Sequence, residues 1–222
     1  MMVHEGHARV MRFFTSSNAD SYDWVVRLAT FGQDSAWKRE IIRAVDNYSH
    51  ILELACGTGI LSSMLAKKGK NIAGIDLTFE YLRELKCKLN AHIVQGTAES
   101  LPYRSESFDA IVSSYVAKYV DIPEVIDECW RVLRPGGVAI FHDFIYPNGL
   151  IRSLWKAYFA LLRLTGLFVV SWKVVFEQLD DTIKRSDWVD RTMYVFEKKK
   201  FQKISCKLYA AGTAAIVCAE KL

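Results

Sequence analysis

Short apolar runs alternate with stretches of helical apolar spacing along most of this chain. The runs predict five strands, over residues 51–55, 72–75, 92–95, 107–114 and from Gly137 to Phe144. Strands that alternate with helices indicate a parallel sheet covered by helices on both faces. Two further runs, 201–209 and 213–219, predict an antiparallel hairpin at the sheet edge. The pattern therefore predicts an α/β fold with a seven-stranded mixed sheet.

The segment ILELACGTGI, residues 51–60, leads an apolar strand into a glycine turn that begins a helix. Gly57 and Gly59 permit a tight turn and a close ligand approach, which a Cβ would obstruct. Glu53 interrupts the apolar run, and because a buried carboxylate needs a partner, we expect it to meet a cationic ligand group such as an amino-acid ammonium. The turn also suits a nicotinamide-dependent reductase, but Ser62 stands where the dinucleotide motif has its third glycine.

Asp76 closes the second predicted strand. A carboxylate at the carboxyl end of a parallel strand can accept hydrogen bonds from both hydroxyls of a ribose. The alternative role is the N-cap of the next helix, for which Thr78 competes. Asp76 is therefore a candidate for binding a nucleoside.

Glu53, the Gly57 to Gly59 turn, Asp76 and the segment RVLRPGG at 131–137 together resemble the class I S-adenosylmethionine (SAM) methyltransferases. The order Tyr22-Asp23, turn, Trp37-Lys38-Arg39 resembles more narrowly the ubiquinone/menaquinone biosynthesis methyltransferases, over about residues 19–221. The resemblance implies a Rossmann-like fold, SAM as cofactor, S-adenosylhomocysteine as product and a small apolar or lipid-like acceptor. The cofactor-binding residues that it implies are Glu53, Ala55, Gly57, Thr58, Gly59, Asp76, Leu77, Thr97, Ala98, Glu99 and Ser113.

The adenine segment departs from this family. Related enzymes carry Asp or Asn near the position of Thr97, so the polar side-chain contact is altered here, while the backbone of Ala98 can still take part. Adenine placement is consequently less well defined by the sequence than ribose placement.

Three residues are candidates for chemistry: His142 and Asp143 at the end of the fifth strand, and Tyr119 after the fourth. Tyr119 would orient the acceptor, and His142, with an ordinary pKa near 6.5, could accept a proton at neutral pH. The alternative for His142 and Asp143 is a purely structural role at a strand end. A metal is not required by the motifs.

The family carries Leu-Arg-Asn-Val after the fourth strand, and counting back from Asp121 and Arg131 aligns it with residues 116–119. Ala117 then stands where the family has an arginine that supports deprotonation of a ring hydroxyl. The acceptor is therefore expected to resemble a quinone precursor, but whether it is one stays open, because Lys118 could only partly substitute for the arginine as a point charge.

The segment from Leu150 to Phe176 is amphipathic. Its apolar side chains share one helical face, and three basic ones lie roughly 120° around the helix; they are Ile151, Leu154, Trp155, Tyr158 and Leu162, and Arg152, Lys156 and Arg163. The segment is either a lid on the core or an interfacial helix that admits a lipid-like substrate. The apolar run 164–172 is too short to span a bilayer.

Length and composition suit one domain over residues 1–222, with a helical cap at about 10–45 and the lid or interfacial insertion at about 150–186. A net charge of +4 does not predict a nucleic-acid partner. Five cysteines without metal-ligand spacing suit buried thiols in a reducing cytoplasm, and peripheral membrane contact and oligomeric state stay open. The alternatives are a methyltransferase for phospholipids or other small molecules, and a SAM-binding subunit without catalysis.

Overall fold

The computed structural model describes residues 2–222, with side chains from Glu5 onward. Its strands are β1 (His50–Leu54), β2 (Asn71–Asp76), β3 (His92–Gln95), β4 (Phe108–Ser114), β5 (Leu133–Phe144), β6 (Gln202–Tyr209) and β7 (Ala214–Glu220). They form one seven-stranded sheet in the order β3-β2-β1-β4-β5-β7-β6. β1 to β5 are parallel, and β7 runs antiparallel between β5 and β6. The predicted mixed sheet and edge hairpin are confirmed.

The helices in residues 2–222 are α1 (Met2–Phe13), α2 (Tyr22–Ala29), α3 (Gln33–Ala44), α4 (Ile60–Ala66), α5 (Phe79–Lys88), α6 (Ile122–Val132), α7 (Gly149–Thr165), α8 (Lys173–Arg185) and α9 (Trp188–Lys198). The segment predicted as helical from about residue 10 to 45 is thus broken into three helices. Asn18 holds the first break, because its side chain accepts from Thr15 N at 3.0 Å and donates to Phe13 O at 2.8 Å. Gly32, with φ of 75°, makes the second.

Side chains of the central strands alternate between two apolar layers, as the pleat requires. Leu52 and Leu54 pack in the layer that contains Ile126 of α6 and Phe196 of α9. Ile51 packs on the opposite face, in the layer that contains Leu61 of α4. The alternation directs Glu53 toward the α3 and α4 side, where it contacts Ser62.

The Pro135-Gly136-Gly137 segment lies within β5 and does not precede it, which corrects the predicted order of helix, turn and strand. α6 ends at Val132, and Leu133 already pairs with Phe108. The next registered pair is Ala110 with Val138, so the glycines lie in an irregularity of β5. Gly137 is required there, because a Cβ would lie 2.8 Å from Arg134 O and 2.9 Å from Asp109 O.

The thiols differ in burial. Cys56 and Cys129 are buried and Cys87 is exposed, so the expectation of buried thiols is wrong for Cys87. Within residues 2–222, none of the helices combines the length and the apolar character needed to cross a bilayer.

Candidate active site

Two neighbouring cavities open at the carboxyl ends of the parallel strands. The first, the strand-tip cavity, has a volume of about 90 Å³ and lies against the ends of β1, β2 and β3. The second, the apolar cavity, has a volume of about 320 Å³ and lies between α2, α7 and α8. The cavities share a wall of four aromatic side chains: Phe14, Tyr22, Tyr115 and Tyr119.

Most of the residues predicted to bind a cofactor line the strand-tip cavity. They are Ala55, Gly57, Asp76, Leu77, Thr97, Ala98 and Glu99. Ala55 and Tyr115, which follow β1 and β4, have φ of 53° and 75°. Such left-handed backbone is strained for residues other than glycine and concentrates at functional sites. Both strained residues line this cavity.

The Asp76 carboxylate is held in place by hydrogen bonds from the backbone. Oδ2 accepts from Gly57 N at 2.8 Å, and Oδ1 accepts from Thr78 N at 2.8 Å and from Thr78 Oγ1 at 2.5 Å. Burial raises the pKa of Asp76, and these hydrogen bonds oppose the rise. Each oxygen of a carboxylate has more than one acceptor site, so Asp76 can still receive hydrogen bonds from a ligand.

Thr58 and Gly59 do not line the cavity, although the sequence placed them in the cofactor set. Thr58 Oγ1 donates to Asp23 Oδ1 at 2.5 Å, and Lys88 Nζ donates to Asp23 Oδ2 at 2.6 Å, so this turn is tied to α2. Gly59 has φ of 81°, and a Cβ there would lie 2.1 Å from Leu85 Cδ1. Its role is to let α5 pack against the turn.

Glu53 and Ser113 also lie outside the cavity linings. Ser113 donates to Leu54 O at 3.1 Å, while its neighbour Ser114 lines the strand-tip cavity. Glu53 is 3% exposed and accepts a hydrogen bond from Ser62. Burial raises the pKa of Glu53 to about 8, so the carboxyl is mainly protonated at neutral pH. A cation that reached this carboxyl would lower that pKa.

α1 closes the strand-tip cavity from the side, a role that the sequence prediction missed because it began this helical segment only at about residue 10. His7 Nε2 lies 3.1 Å from Glu99 Oε2, and Val10 lines the cavity. A Cβ on Gly6 would lie 1.8 Å from Tyr119 O. Gly6 was the available signal, since a helix interior tolerates glycine poorly unless a close approach requires it.

His142 does not face either cavity, contrary to the prediction that it contacts the acceptor. Its ring is 1% exposed and packs 5.1 Å from the ring of Trp37, and Nδ1 lies 2.9 Å from Ser114 Oγ. Burial, together with the charges of Lys38 and Lys118, lowers its pKa well below 6.5. The imidazole is therefore a weak proton acceptor that is packed away from the cavities, which does not suit the predicted base.

Asp143 is fully buried behind the apolar cavity and contacts Lys118 in place of an acceptor. Lys118 Nζ donates to Asp143 Oδ1 at 2.6 Å and to Tyr115 O at 2.9 Å. Phe144 N donates to Asp143 Oδ1 at 2.7 Å. Burial lowers the pKa of Lys118, and Asp143 opposes that shift. Asp143 is thus placed to hold Lys118.

Lys118 lines the apolar cavity, whereas Ala117 packs into the core. The alanine at 117 is therefore uninformative about the chemistry, because a side chain in that position points away from the cavity. Lys118, which the sequence suggested as a partial substitute for the missing arginine, is the cation that lines the apolar cavity.

Tyr119 lines both cavities, as expected of a residue that orients an acceptor. Its hydroxyl is buried and has no hydrogen-bond partner among the described residues. Burial raises the pKa of Tyr119 well above 10, so the group stays a neutral hydroxyl. A buried hydroxyl without a partner is costly in free energy unless a ligand satisfies it.

The chain is similar to known methyltransferases. A family model described as a methyltransferase domain matches residues 52–141. The ubiquinone/menaquinone biosynthesis C-methyltransferase UbiE of Rickettsia akari is 31% identical over 218 residues, covering 90% of this chain and 88% of the relative. This chain belongs to that family.

Two further likenesses agree with this assignment. The demethylmenaquinone methyltransferase of Tropheryma whipplei is 28% identical over 97% of this chain and 93% of its own. The crystal structure of a SAM-dependent methyltransferase from Archaeoglobus fulgidus has a TM-score of 0.66 at 14% identity, covering 90% of this chain and all of that one, and supports the Rossmann-like class I fold. The chain is a methyltransferase that uses SAM, so the reductase alternative is wrong.

We propose that SAM binds in the strand-tip cavity. Asp76 would hold the ribose, and the backbone around Leu77 and Ala98 would hold the adenine. The volume of about 90 Å³ is below the roughly 300 Å³ of ordinary ligand pockets. The rings of Phe14 and Tyr22 pack edge-on against the ring of Tyr81, at centroid distances of 5.7 and 5.3 Å, and all three line the cavity, so we infer that these rings separate when SAM binds.

Replacing Asp76 with alanine should weaken SAM binding by about 1–3 kcal/mol, the range for losing hydrogen bonds to a charged group. Titration calorimetry of both proteins with SAM and with S-adenosylhomocysteine measures the difference. Asp109→Ala is the matched control, because Asp109 accepts from His50 N at the opposite end of the sheet. Equal affinity in the Asp76 variant and the wild type would remove Asp76 from the ribose site.

Proposed function

We propose that the methyl acceptor is an apolar, lipid-like molecule related to a quinone precursor, and that it binds in the apolar cavity. The observation that carries the proposal is the shared aromatic wall between this cavity and the strand-tip cavity. The apolar volume of about 320 Å³ falls within the range of about 300–1,000 Å³ for small-molecule pockets. An acceptor held there is next to the cofactor and shielded from water, the two requirements of methyl transfer.

The names of the relatives support the acceptor class. The Rickettsia relative is a C-methyltransferase of ubiquinone and menaquinone biosynthesis, and the Tropheryma relative is a demethylmenaquinone methyltransferase. Both names describe methylation in the biosynthesis of a quinone. A cavity with mainly aromatic and aliphatic walls suits such a molecule.

Lys118 would supply the electrostatic part of the reaction. Among the described residues that line the apolar cavity, it is the only charged one. C-methylation of a phenolic ring is favoured once a ring hydroxyl has lost its proton to water, and the Lys118 ammonium, although paired with Asp143, would stabilise the resulting oxyanion. Tyr119 would donate its unpartnered hydroxyl to an acceptor oxygen. Asp143 is a positioning residue, since it acts through Lys118.

A phospholipid amine is a poorer fit to the same cavity. An acceptor that carries an ammonium group needs a carboxylate beside it, or an aromatic face that no other cation already covers. The described lining residues of the apolar cavity include Lys118 and no Asp or Glu. The local charge thus favours an acceptor that becomes negative.

We further propose that α1 to α3 form the cap and that α7 and α8 form the lid of this site. α2 and α7 are joined at the cavity mouth, where Tyr158 Oη donates to Ala29 O at 2.5 Å and its ring lies 5.7 Å from that of Phe31. Trp155 of α7 donates to Asp180 Oδ1 of α8 at 2.7 Å. These contacts keep the apolar wall in place over the sheet.

The test is methyl transfer from labelled SAM to detergent-dispersed acceptors. We expect transfer to a prenylated naphthoquinol and none to phosphatidylethanolamine. Val26 lines the cavity, so the larger side chain of Val26→Trp would take up acceptor space. It should reduce kcat/KM for the quinol by about tenfold or more, because displaced apolar contacts in a pocket are worth about 1–3 kcal/mol. Leu28→Trp, on the outer face of the same helix and 65% exposed, is the matched control.

SAM affinity should be unchanged in both variants. Transfer to phosphatidylethanolamine in preference to the quinol would contradict the acceptor class. Tight SAM binding without transfer to any acceptor would support a subunit without catalysis.

A further inference from the structure

A large part of the exposed apolar surface lies around the mouth of the apolar cavity. Of the fifteen large apolar side chains exposed in the described part of the chain, ten lie between Trp24 and Phe31 or between Leu150 and Val170. We call one group the leucine surface, and it consists of Phe31, Leu150, Leu154, Leu161, Leu164, Leu167 and Phe168. Contiguous exposed apolar surface of this kind indicates an interaction site.

The leucine surface shares only Leu154 with the apolar face that the sequence predicted on α7. At about 100° per residue, Leu150, Leu154 and Leu161 lie within about 40° of one another on α7. Trp155 and Phe159 lie about 140° away from them and are 8% and 2% exposed. α7 therefore has one apolar stripe that covers the core and a second that faces solvent.

The charged residues in the segment that carries most of this surface are all basic. Residues 144–176 contain four basic residues, Arg152, Lys156, Arg163 and Lys173, and no Asp or Glu. Two of the four have acidic neighbours in α8: Arg163 lies 3.4 Å from Asp180, and Lys173 lies 3.9 Å from Glu177. Long basic side chains beside an apolar stripe can extend to anionic head groups while their stems stay in the apolar layer.

The leucine surface is continuous with the apolar cavity. Phe31 and Leu154 are 78% and 68% exposed, and both also line the cavity. An apolar molecule that left a lipid layer at this surface would enter the cavity without crossing water.

We propose that the leucine surface docks on an anionic lipid bilayer and that the acceptor enters the apolar cavity from that bilayer. This inference rests on the proposed acceptor class. It assigns α7 both roles that the sequence left as alternatives, a lid on the core side and an interfacial helix on the outer side.

The experiment is co-sedimentation of the purified full chain with two kinds of vesicle, each at low and at high salt. One kind contains phosphatidylcholine alone, and the other contains about 30% of the anionic lipid phosphatidylglycerol. We expect binding to the anionic vesicles that weakens with salt. Leu164→Ser/Phe168→Ser should lower the partition coefficient by about tenfold or more, because two large apolar side chains no longer enter the interface. Tyr194→Ser/Leu208→Ser is the control, as these residues are similarly exposed at 56% and 59% but lie on α9 and β6.

Circular dichroism and SAM affinity establish that both double variants fold. Transfer to a detergent-dispersed quinol should be unchanged in both, so failure of docking is distinguishable from failure of the acceptor proposal. Wild-type protein that ignores anionic vesicles overturns the inference. So does a dimer in sedimentation velocity that the Leu164→Ser/Phe168→Ser variant loses, since the surface would then join two copies of the chain.

Discussion

Replacing Lys118 with methionine should lower the free energy of unfolding by about 3–5 kcal/mol, the range for removing one partner of a buried ion pair. The two side chains are 2% and 0% exposed, and methionine leaves the Asp143 charge without its ammonium partner. The backbone bonds from Lys118 N and Phe144 N remain, but they do not neutralise the charge. Urea denaturation at pH 7 measures the loss.

Two further variants make this expectation specific. Lys118→Met/Asp143→Asn should recover more than half of the loss, because asparagine keeps an acceptor for the two backbone N–H groups and carries no charge. Lys203→Met removes a similar pair with Glu220, but Lys203 is 73% exposed, so the free energy of unfolding should change far less than in the Lys118 variant. A Lys118 variant as stable as the Lys203 variant would mean that water reaches Asp143.

Replacing Glu53 with glutamine should flatten the pH dependence of stability by about 3 kcal/mol between pH 5 and pH 8. The unfolded chain loses this proton near the ordinary pKa of 4.5, whereas burial keeps it on the folded protein up to about 8. Between these values the folded state binds more protons than the unfolded state, so the contribution of Glu53 to stability falls as pH rises. Glutamine cannot titrate and removes that slope.

Urea denaturation of both proteins at intervals from pH 5 to pH 8.5, without SAM, gives the two stability profiles. The difference between them isolates Glu53, because the other titrating groups, Asp76 included, are common to both proteins. Parallel profiles would show that Glu53 is ionised in the folded protein at neutral pH. Ser62→Ala serves as the control. It removes the hydrogen bond to Glu53 but leaves a carboxyl that still titrates, so the fall in stability with rising pH should remain.

Folding and chemistry place opposite demands on the same end of the sheet. Lys118, Asp143 and the Asp34–Lys38 pair are buried charges around the cavities, and Tyr115 bridges them by donating to Asp34 Oδ1 at 2.8 Å. Such groups are weak sources of stability but hold charge and direction in a site without water. Their presence beside an apolar cavity is better explained by the reaction than by the fold.

The sequence by itself determined the alternation of strands and helices along the chain, the sheet class and the methyltransferase family. These follow from local patterns: the period of apolar residues, the glycines at 57 and 59, and an acidic residue at the end of β2. It also predicted site roles for Asp76, at the end of β2, and Tyr119, in the segment after β4, and both line the strand-tip cavity, where the topology of a parallel sheet brings ligands. It could not decide which neighbouring side chain points into a cavity.

The tertiary structure decided that question. His142 and Asp143 lie in the layers beneath the cavities, and Lys118, after β4, is the charge that enters one. Glu53 points to the α3 and α4 side because side chains alternate along β1, and its burial there raises its pKa. The two apolar stripes of α7 look alike in sequence, and only the packing of α8 against one of them leaves the other, at Leu150, Leu161 and Leu164, exposed to solvent.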